Sequence, residues 1–226
     1  MQNTRRFGGF ASIDKICIGI ALLLIVLVVG GLPSQSMKNE ADLSNVKCSP
    51  EADWIPVRSI ERVAQKRFTQ WAENPVIVDA VIQANDRPAR TISEIIELDD
   101  KWVSGSIDEQ FVNELLNNPC AQYLDSLREE DSRAKGMYRE IFVVDNQGCI
   151  VAASNKTSDY WQGDEDKFVK PFNGGRGAIF VDDADYDEST DMSLIQVSVP
   201  IMDPNSGEAI GVLTVGLNIR VLIEEI

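Results

Sequence analysis

The chain has 226 residues, which suffices for one large domain or for one modest domain with a membrane anchor, but hardly for two full domains. It carries 21 Lys and Arg against 36 Asp and Glu, a formal net charge of -15, which argues against an electrostatic nucleic-acid binder. The lack of histidine excludes Ser-His-Asp triads, Cys-His dyads and His-ligated zinc.

The first pattern along the chain is the uncharged apolar stretch ICIGIALLLIVLVVGGL at residues 16–32. As a helix it spans roughly 26 Å, close to the hydrocarbon thickness of a bilayer. Arg5, Arg6 and Lys15 precede it, opposed only by Asp14, so the positive-inside rule places residues 1–15 in the cytoplasm as a short tail. The sequence therefore predicts a single-pass signal anchor in the inner (cytoplasmic) membrane, with the main domain periplasmic or extracellular.

A cleaved signal peptide is the alternative for this stretch, because it would share the charged start and the apolar run. The stretch is longer than an ordinary signal-peptide core, and the GLPSQS segment after it contains no small-residue cleavage site, which favours the uncleaved anchor. The part beyond it carries 18 basic and 35 acidic residues, which would keep that part soluble and away from anionic lipid.

Four cysteines divide unevenly, with Cys17 in the apolar stretch and Cys48, Cys120 and Cys149 beyond it. At most one intrachain disulfide can form among the last three, and their spacing matches no zinc knuckle. Ordinary buried thiols are the alternative, and the sequence does not select a pair.

After a polar juxtamembrane linker at 33–50, apolar residues recur at helical spacing. Five of them predict one stripe of a helix that ends near residue 74: Val57, Ile60, Ala64, Phe68 and Trp71. Farther on, Thr91 with Glu94 and Ser106 with Glu109 have the spacing of capping boxes. We therefore expect a lead-in of several helices over 51–131.

The pattern changes near residue 137, where YREIFVVD, the turn DNQG and CIVAAS predict a hairpin. Further strands are predicted at 178–182, 193–203 and 208–218, and a short helix is predicted near 165–172. Helices followed by five strands predict an α+β fold with an antiparallel sheet over 138–219.

Three segments resemble the Cache, or PDC, family of extracytoplasmic sensor domains: EIFVVDNQGCIVAASNKTSDYWQGDEDKF, FNGGRGAIF and IQVSVPIMDPNSGEAIGVLTVGLNI. The resemblance is strongest over 138–219 and looser over the helices. It implies a PAS-like five-stranded sheet, entered by a long helix from the membrane and holding a small-molecule pocket. Receptors of this family usually continue into a cytoplasmic output module, so the resemblance also implies an output that is missing here or lies on a partner protein.

Strand alternation predicts which sheet face borders the pocket. In the fourth strand, Gln196 and Ser198 share the face opposite the apolar residues, and in the fifth strand Thr214 is similarly placed. We therefore expect a pocket on this side, although a merely wetter face would show the same pattern.

The resemblance implies that the loop between the second and third strands forms a lid over the pocket. Tyr160, Trp161, Gln162 and Asp164 are then the candidates for ligand contact, with a core position as the alternative for either aromatic ring. Two charged residues add further candidates. Arg176 would hold a ligand carboxylate or be a solvated turn cation, and Asp182 would receive a ligand ammonium.

The acidic segment at 182–191 fails the EF-hand template, because residue 188 is Glu where Gly is required and residue 194 is Leu where Glu is required. A solvated loop is the better interpretation, with a looser cation site as the alternative. No metal site and no cofactor is predicted.

Two functions of different class follow. The first is a membrane-anchored sensory domain that binds a small polar metabolite, an amino acid or a carboxylate, and transmits occupancy through its N-terminal helix as a homodimer. The second is an accessory subunit that uses the domain as a protein-interaction surface. An enzyme is disfavoured, because the chain contains no nucleophile elbow, P-loop or ligand cluster and so offers no catalytic residue.

Overall fold

The computed structural model describes residues 57–129, 136–183, 185–187, 192–218 and 221. All of them belong to one compact unit that extends from Cys48 to Ile226. The predicted membrane anchor, the linker and Cys48 lie outside the described residues. Among the helices that are described, none has the length and apolar character needed to cross a bilayer.

Helices form the first half of the described chain. Helix α1 (Val57–Val63) continues through a π-helical segment (Ala64–Phe68) into α2 (Thr69–Ala72), and α3 (Pro75–Asn85), α4 (Ile92–Ser104), α5 (Glu109–Asn117) and α6 (Pro119–Glu129) follow. The predicted stripe is confirmed at Ile60, Ala64 and Phe68, which are buried, whereas Val57 is 52% exposed.

Local capping explains several boundaries. Asn74 caps α3 and Pro75 occupies its first position, where the missing N–H costs nothing. The capping box of Thr91 and Glu94 is confirmed at the start of α4. The one predicted from Ser106 and Glu109 is wrong, because the Asp108 carboxylate accepts hydrogen bonds from Gln110 N and Phe111 N and so starts α5 two residues later.

The second half forms an antiparallel sheet. Its strands are β1 (Tyr138–Val144), β2 (Ile150–Ala153), β3 (Phe180–Val181), β4 (Asp185–Asp187), β5 (Met192–Met202) and β6 (Ala209–Asn218), with helix α7 (Asp166–Gly174) between β2 and β3. The spatial order is β2-β1-β6-β5-β3, and β4 pairs beside β3 on β5. The five predicted strands and the short helix are confirmed, the α+β class with them, and β4 is an addition.

The two sheet faces contribute to different cores. One face packs against the N-terminal helices, in a cluster that joins Phe68 to Val197, Leu213 and other apolar strand residues. The other face contributes to a second cluster with α4 and α7, which includes Trp102, Phe142 and Phe168. The alternation predicted for β5 is confirmed, since Ile195, Val197, Val199 and Ile201 all belong to the first cluster.

Cys120 and Cys149 are both buried free thiols, one in each cluster. Burial raises the pKa of each thiol to about 12. They are therefore small apolar core residues, and no disulfide joins the two.

Candidate functional site

A cavity of about 740 Å³ lies on the second sheet face. Strands β1 and β5 supply its floor, and the loop between β2 and α7, together with the start of α7, supplies a wall. The segment after β3 contributes two further carboxylates. The floor residues are Glu140, Phe142, Leu194 and Gln196.

The floor has polar groups because three adjacent strands meet at one level. The pairing register places Glu140 of β1 beside Gly216 of β6, and Gly216 beside Gln196 of β5. Gly216 has no side chain, so Glu140 lies across it and its Oε1 accepts a hydrogen bond of 2.7 Å from Gln196 Nε2. A Cβ on Gly216 would lie 2.7 Å from Glu140 Cγ, which shows how closely the carboxylate chain covers this strand.

The wall loop is held by α4. Both Tyr160 N and Trp161 N donate to Asp99 Oδ1, at 2.8 and 3.0 Å. The buried Trp102 ring donates from Nε1 to the carbonyl oxygen of Thr157 at 2.8 Å. Because these donors and acceptors belong to the loop backbone, α4 fixes the path of the loop beside the cavity.

The same loop also pairs with the turn between β1 and β2. Gln162 N donates to Gly148 O at 2.8 Å, and Trp161 Nε1 donates to Gln147 O at 2.9 Å. A Cβ on Gly148, whose φ is +79°, would overlap the backbone of Gly163, so the two glycines allow this close approach. The loop is therefore fixed from both sides, and Gln162 has a defined position.

Helix α7 places a cation at the edge of the cavity. Lys167 Nζ forms an ion pair of 2.9 Å with Glu165 Oε2, and the Lys167 side chain is only 10% exposed. Phe168 and Phe172 stack with ring centroids 4.9 Å apart on the same helix, and Phe168 is buried in the second cluster. The apolar face of α7 thus keeps Lys167 in place beside the wall loop.

The structure brings three of the nine predicted site residues to the cavity: Gln162, Asp182 and Gln196. Ser198 and Thr214 share the same sheet face, but they are fully buried and hydrogen-bond to each other, with their hydroxyl oxygens 2.9 Å apart. They lie in the core beside the floor and do not line the cavity.

The other four predicted residues lie elsewhere. Tyr160 is a core residue, and its ring packs on Trp102 and Phe111. Trp161 is part-buried and fastens the loop to the hairpin turn. Asp164 and Arg176 are exposed and outside the cavity lining.

Several lining residues were not identified from the sequence. Glu140 had a usable signal, because it is a single carboxylate in the otherwise apolar strand segment EIFVV. The other lining residues gave no signal, since apolar, hydroxyl and charged residues of these types are common along this chain: Phe142, Thr157, Ser158, Asp159, Glu165, Lys167, Asp183 and Leu194.

A larger cavity of about 970 Å³ lies among α3, α5, α6 and β2. Its lining sets Arg87 and Arg90 among several carboxylates, including Asp145. Burial raises the pKa of Asp145, although its carboxylate accepts hydrogen bonds from Gln147 N and Cys149 N at 2.9 Å each. Because these bonds close the hairpin turn, the Asp145 carboxylate has a structural role in that turn.

Among the residues that the structure describes, no three acidic or cysteine side chains come close enough together to hold a metal ion. The acidic stretch at 182–191 is described only in part. Its Asp182 and Asp183 lie at the smaller cavity.

The chain matches no protein-family model and no curated protein. Among solved structures it is similar to the sensor domain of the histidine kinase DctB from Vibrio cholerae, with 12% identity and a TM-score of 0.41 over 74% of this chain and 52% of that one.

Two chemoreceptor domains are also similar. The ligand-binding domain of PctC from Pseudomonas aeruginosa, in complex with GABA, has 11% identity and a TM-score of 0.34 over 75% of this chain and 63% of that one. The sensory domain of Tlp3 from Campylobacter jejuni, with isoleucine bound, has 17% identity and a TM-score of 0.33 over 71% and 62%. This chain thus spans between half and two thirds of each. These three solved structures are the sensor domain of a histidine kinase and the ligand-binding domains of two chemoreceptors.

Proposed function

We propose that this protein is an extracytoplasmic sensory domain that binds a small polar metabolite in the cavity on the second sheet face. The observation that carries the proposal is the floor of that cavity. Two polar side chains, Glu140 and Gln196, are hydrogen-bonded to each other across a glycine on strands otherwise suited to burial. A concave site in which oriented polar groups converge is suited to hold a small polar ligand.

The anchor belongs to the same proposal. Residues 16–32 hold the protein in the inner membrane as a single pass, residues 1–15 lie in the cytoplasm, and the domain from 51 onward lies outside. Output then belongs to a partner protein or to a separate module.

Strand β1 supports the proposal that ligand occupancy is transmitted through the N-terminal helix, because it contacts both the cavity and that helix. Glu140 lines the cavity, while Tyr138, near the start of the same strand, packs against Phe68 and Trp71 with ring centroids 6.1 and 5.3 Å away. Arg67 also donates a hydrogen bond to the Tyr138 hydroxyl. A ligand that moves Glu140 would therefore shift the equilibrium between two arrangements of these helix contacts, provided that it binds one arrangement more tightly than the other. We infer that this helix also forms the contact of a homodimer.

The test is ligand-dependent thermal unfolding of the full chain, purified in a mild detergent, against amino acids, carboxylates, purines, polyamines and divalent cations. A ligand at 100 times its Kd adds about 2.7 kcal/mol, which raises the Tm by several degrees. We expect a selective shift that Gln196→Ala abolishes. The matched control is Arg176→Ala, which removes an exposed side chain outside the cavity and should keep the shift.

The competing function is an accessory subunit whose domain serves only as an interaction surface. A folded protein whose Tm no member of the panel raises would favour it. If the ligand-induced Tm shift survives Gln196→Ala but is lost in a variant altered outside this cavity, the ligand binds elsewhere.

A further inference from the structure

Gln162 has a buried oxygen without a partner. Its side chain is 2% exposed and lines the cavity, and its Nε2 donates to the carbonyl oxygen of Asp159 at 3.1 Å. A backbone carbonyl can only accept, so the amide nitrogen must face Asp159 and the oxygen must face away. Among the described residues nothing donates to that Oε1. A buried acceptor left unpaired costs about 1–3 kcal/mol, so this oxygen is a place where a ligand that supplies a donor would gain affinity.

The charge of the lining shows what kind of donor suits the cavity. Of the residues that the structure describes, five with carboxylates and one with an ammonium line it, and that ammonium, on Lys167, is already paired with Glu165. The other four carboxylates have no cation within the lining: Glu140, Asp159, Asp182 and Asp183. Low-dielectric walls concentrate the field of such a one-signed lining and raise the local concentration of a ligand of opposite charge.

The two observations come from different chemistry but agree. The amide oxygen needs a hydrogen-bond donor and the acidic lining favours a cation, and an ammonium group meets both needs at once. We propose that the ligand of this cavity is an organic amine, held as an ammonium by Gln162 Oε1 and by the Glu140 carboxylate. This inference rests on the proposed function and narrows its ligand class.

The rest of the floor suits the carbon skeleton of such a ligand. Phe142 and Leu194 line the cavity on the same sheet face as Glu140 and Gln196, and they offer apolar surface to methylene groups. A free carboxylate has little to bind, because Lys167, the cation among the described lining residues, is engaged by Glu165. A bare divalent cation is also a poor fit, since it needs several converging oxygen ligands and no such group occurs among the described residues.

The test uses three ligands with the same four-carbon chain: 1,4-diaminobutane, GABA and succinate. Their binding to the full-length protein is measured by calorimetry at pH 7 and constant ionic strength, with calcium chloride as a fourth titrant. We expect the diamine to bind at least tenfold more tightly than succinate, with GABA between them.

Two variants locate the ammonium. Gln162→Leu keeps the size of the side chain but removes the acceptor, and Glu140→Gln keeps the shape but removes the charge. Each should weaken diamine binding at least tenfold without loss of folding. The matched control is Gln122→Leu, because Gln122 is exposed, lies outside the cavity, and likewise donates from its amide to a backbone carbonyl.

Succinate binding as tight as that of the diamine, or diamine binding unchanged in both variants, would overturn the amine assignment. A calcium response equal to the diamine response would assign the site to an inorganic cation and also overturn it. If these four fail but a panel compound without an ammonium group raises the Tm in a manner that depends on Gln196, the amine inference fails and the sensor function stands. If no compound binds at all, the proposed function fails with it.

Discussion

The two faces of the sheet differ in how completely they are packed, although they are made by the same strands. Along β5, Ile195, Val197, Val199 and Ile201 face the N-terminal helices, and all four are at most 5% exposed. The alternate positions carry Gln196 and Ser198, with Pro200 between Ser198 and the strand end. One face is thus a continuous apolar surface, while the other mixes hydrogen-bonding groups with apolar ones.

The two faces therefore have different roles: one stabilises the fold, and the other borders the proposed binding cavity. An apolar face gains free energy in proportion to the area it buries, so it is filled to the density of a protein interior. A face with polar groups must pair each of them, and it does so at Ser198 with Thr214 and at Gln196 with Glu140. Gln162, on the wall loop beside this face, keeps an amide oxygen without a donor among the described residues. The proposed binding cavity therefore borders the face on which polar groups interrupt the apolar packing.

The largest expected effect comes from the packed face. Phe68 is fully buried between the sheet and Trp71, so Phe68→Ala should destabilise the protein by about 3–5 kcal/mol through lost burial and the cavity left behind. The control on the same helical stretch is Val57→Ala, where the side chain is 52% exposed and the change should stay within about 0.5 kcal/mol. Urea unfolding measures both. A loss below about 1 kcal/mol for Phe68→Ala would mean that the helix is not part of the cooperative core.

The second prediction concerns the buried hydroxyl pair of the other face. Thr214→Val leaves the Ser198 hydroxyl without its partner and should cost about 1–3 kcal/mol. Adding Ser198→Ala removes both polar groups, so the double variant should regain most of that loss. A double-mutant cycle measures the coupling. Additive losses would show that the two hydroxyls do not depend on each other.

The third prediction compares two glycines on β6. A Cβ on Gly211 would overlap the Val144 carbonyl oxygen, which is backbone and cannot move aside, so Gly211→Ala should cost about 1–3 kcal/mol. A Cβ on Gly216 would meet only the Glu140 side chain, which can swing away.

Gly216→Ala should therefore cost less than Gly211→Ala, because the part-buried Glu140 and Gln196 side chains whose hydrogen bond it disturbs border the cavity and can be hydrated there. Thermal unfolding of the two variants measures the difference in stability. Equal losses would contradict the view that Gly216 serves the cavity floor while Gly211 serves the packing.

Period-two alternation allowed the two faces of β5 to be predicted, because successive side chains of any strand point to opposite sides. It did not predict that Ser198 and Thr214 satisfy each other, since that depends on the register Ser198 opposite Thr214. Glu140 was missed for the same reason. Its place beside Gln196 follows from the order β1-β6-β5, which brings together residues far apart in the chain.

The loop residues depend on distant partners in another way. Its aromatic residues were proposed for ligand contact because rings are common in pockets, yet Tyr160 packs in the core and Trp161 bonds the hairpin turn. Their backbone N–H groups are held by Asp99, some sixty residues earlier in the chain. No pattern within the loop indicates this partner.

The last prediction changes no residue. It uses the native thiols to compare local opening on the two faces. Cys120 belongs to the cluster of the packed face and Cys149 to the cluster beside the cavity, and the pKa of each is raised to about 12 by burial. At pH 8 only about one thiol in ten thousand is then ionised, against roughly a quarter for a free cysteine, so alkylation requires local opening.

Because the cavity side has fewer buried apolar contacts, its local opening should cost less free energy, and Cys149 should react with iodoacetamide sooner than Cys120. Peptide mass spectrometry after timed alkylation of the folded protein measures both rates, and alkylation in urea provides the unfolded reference. Equal rates would mean that both thiols become accessible only through global unfolding. The two faces would then open as a single cooperative unit, and the incomplete packing at the cavity would have no counterpart in local stability.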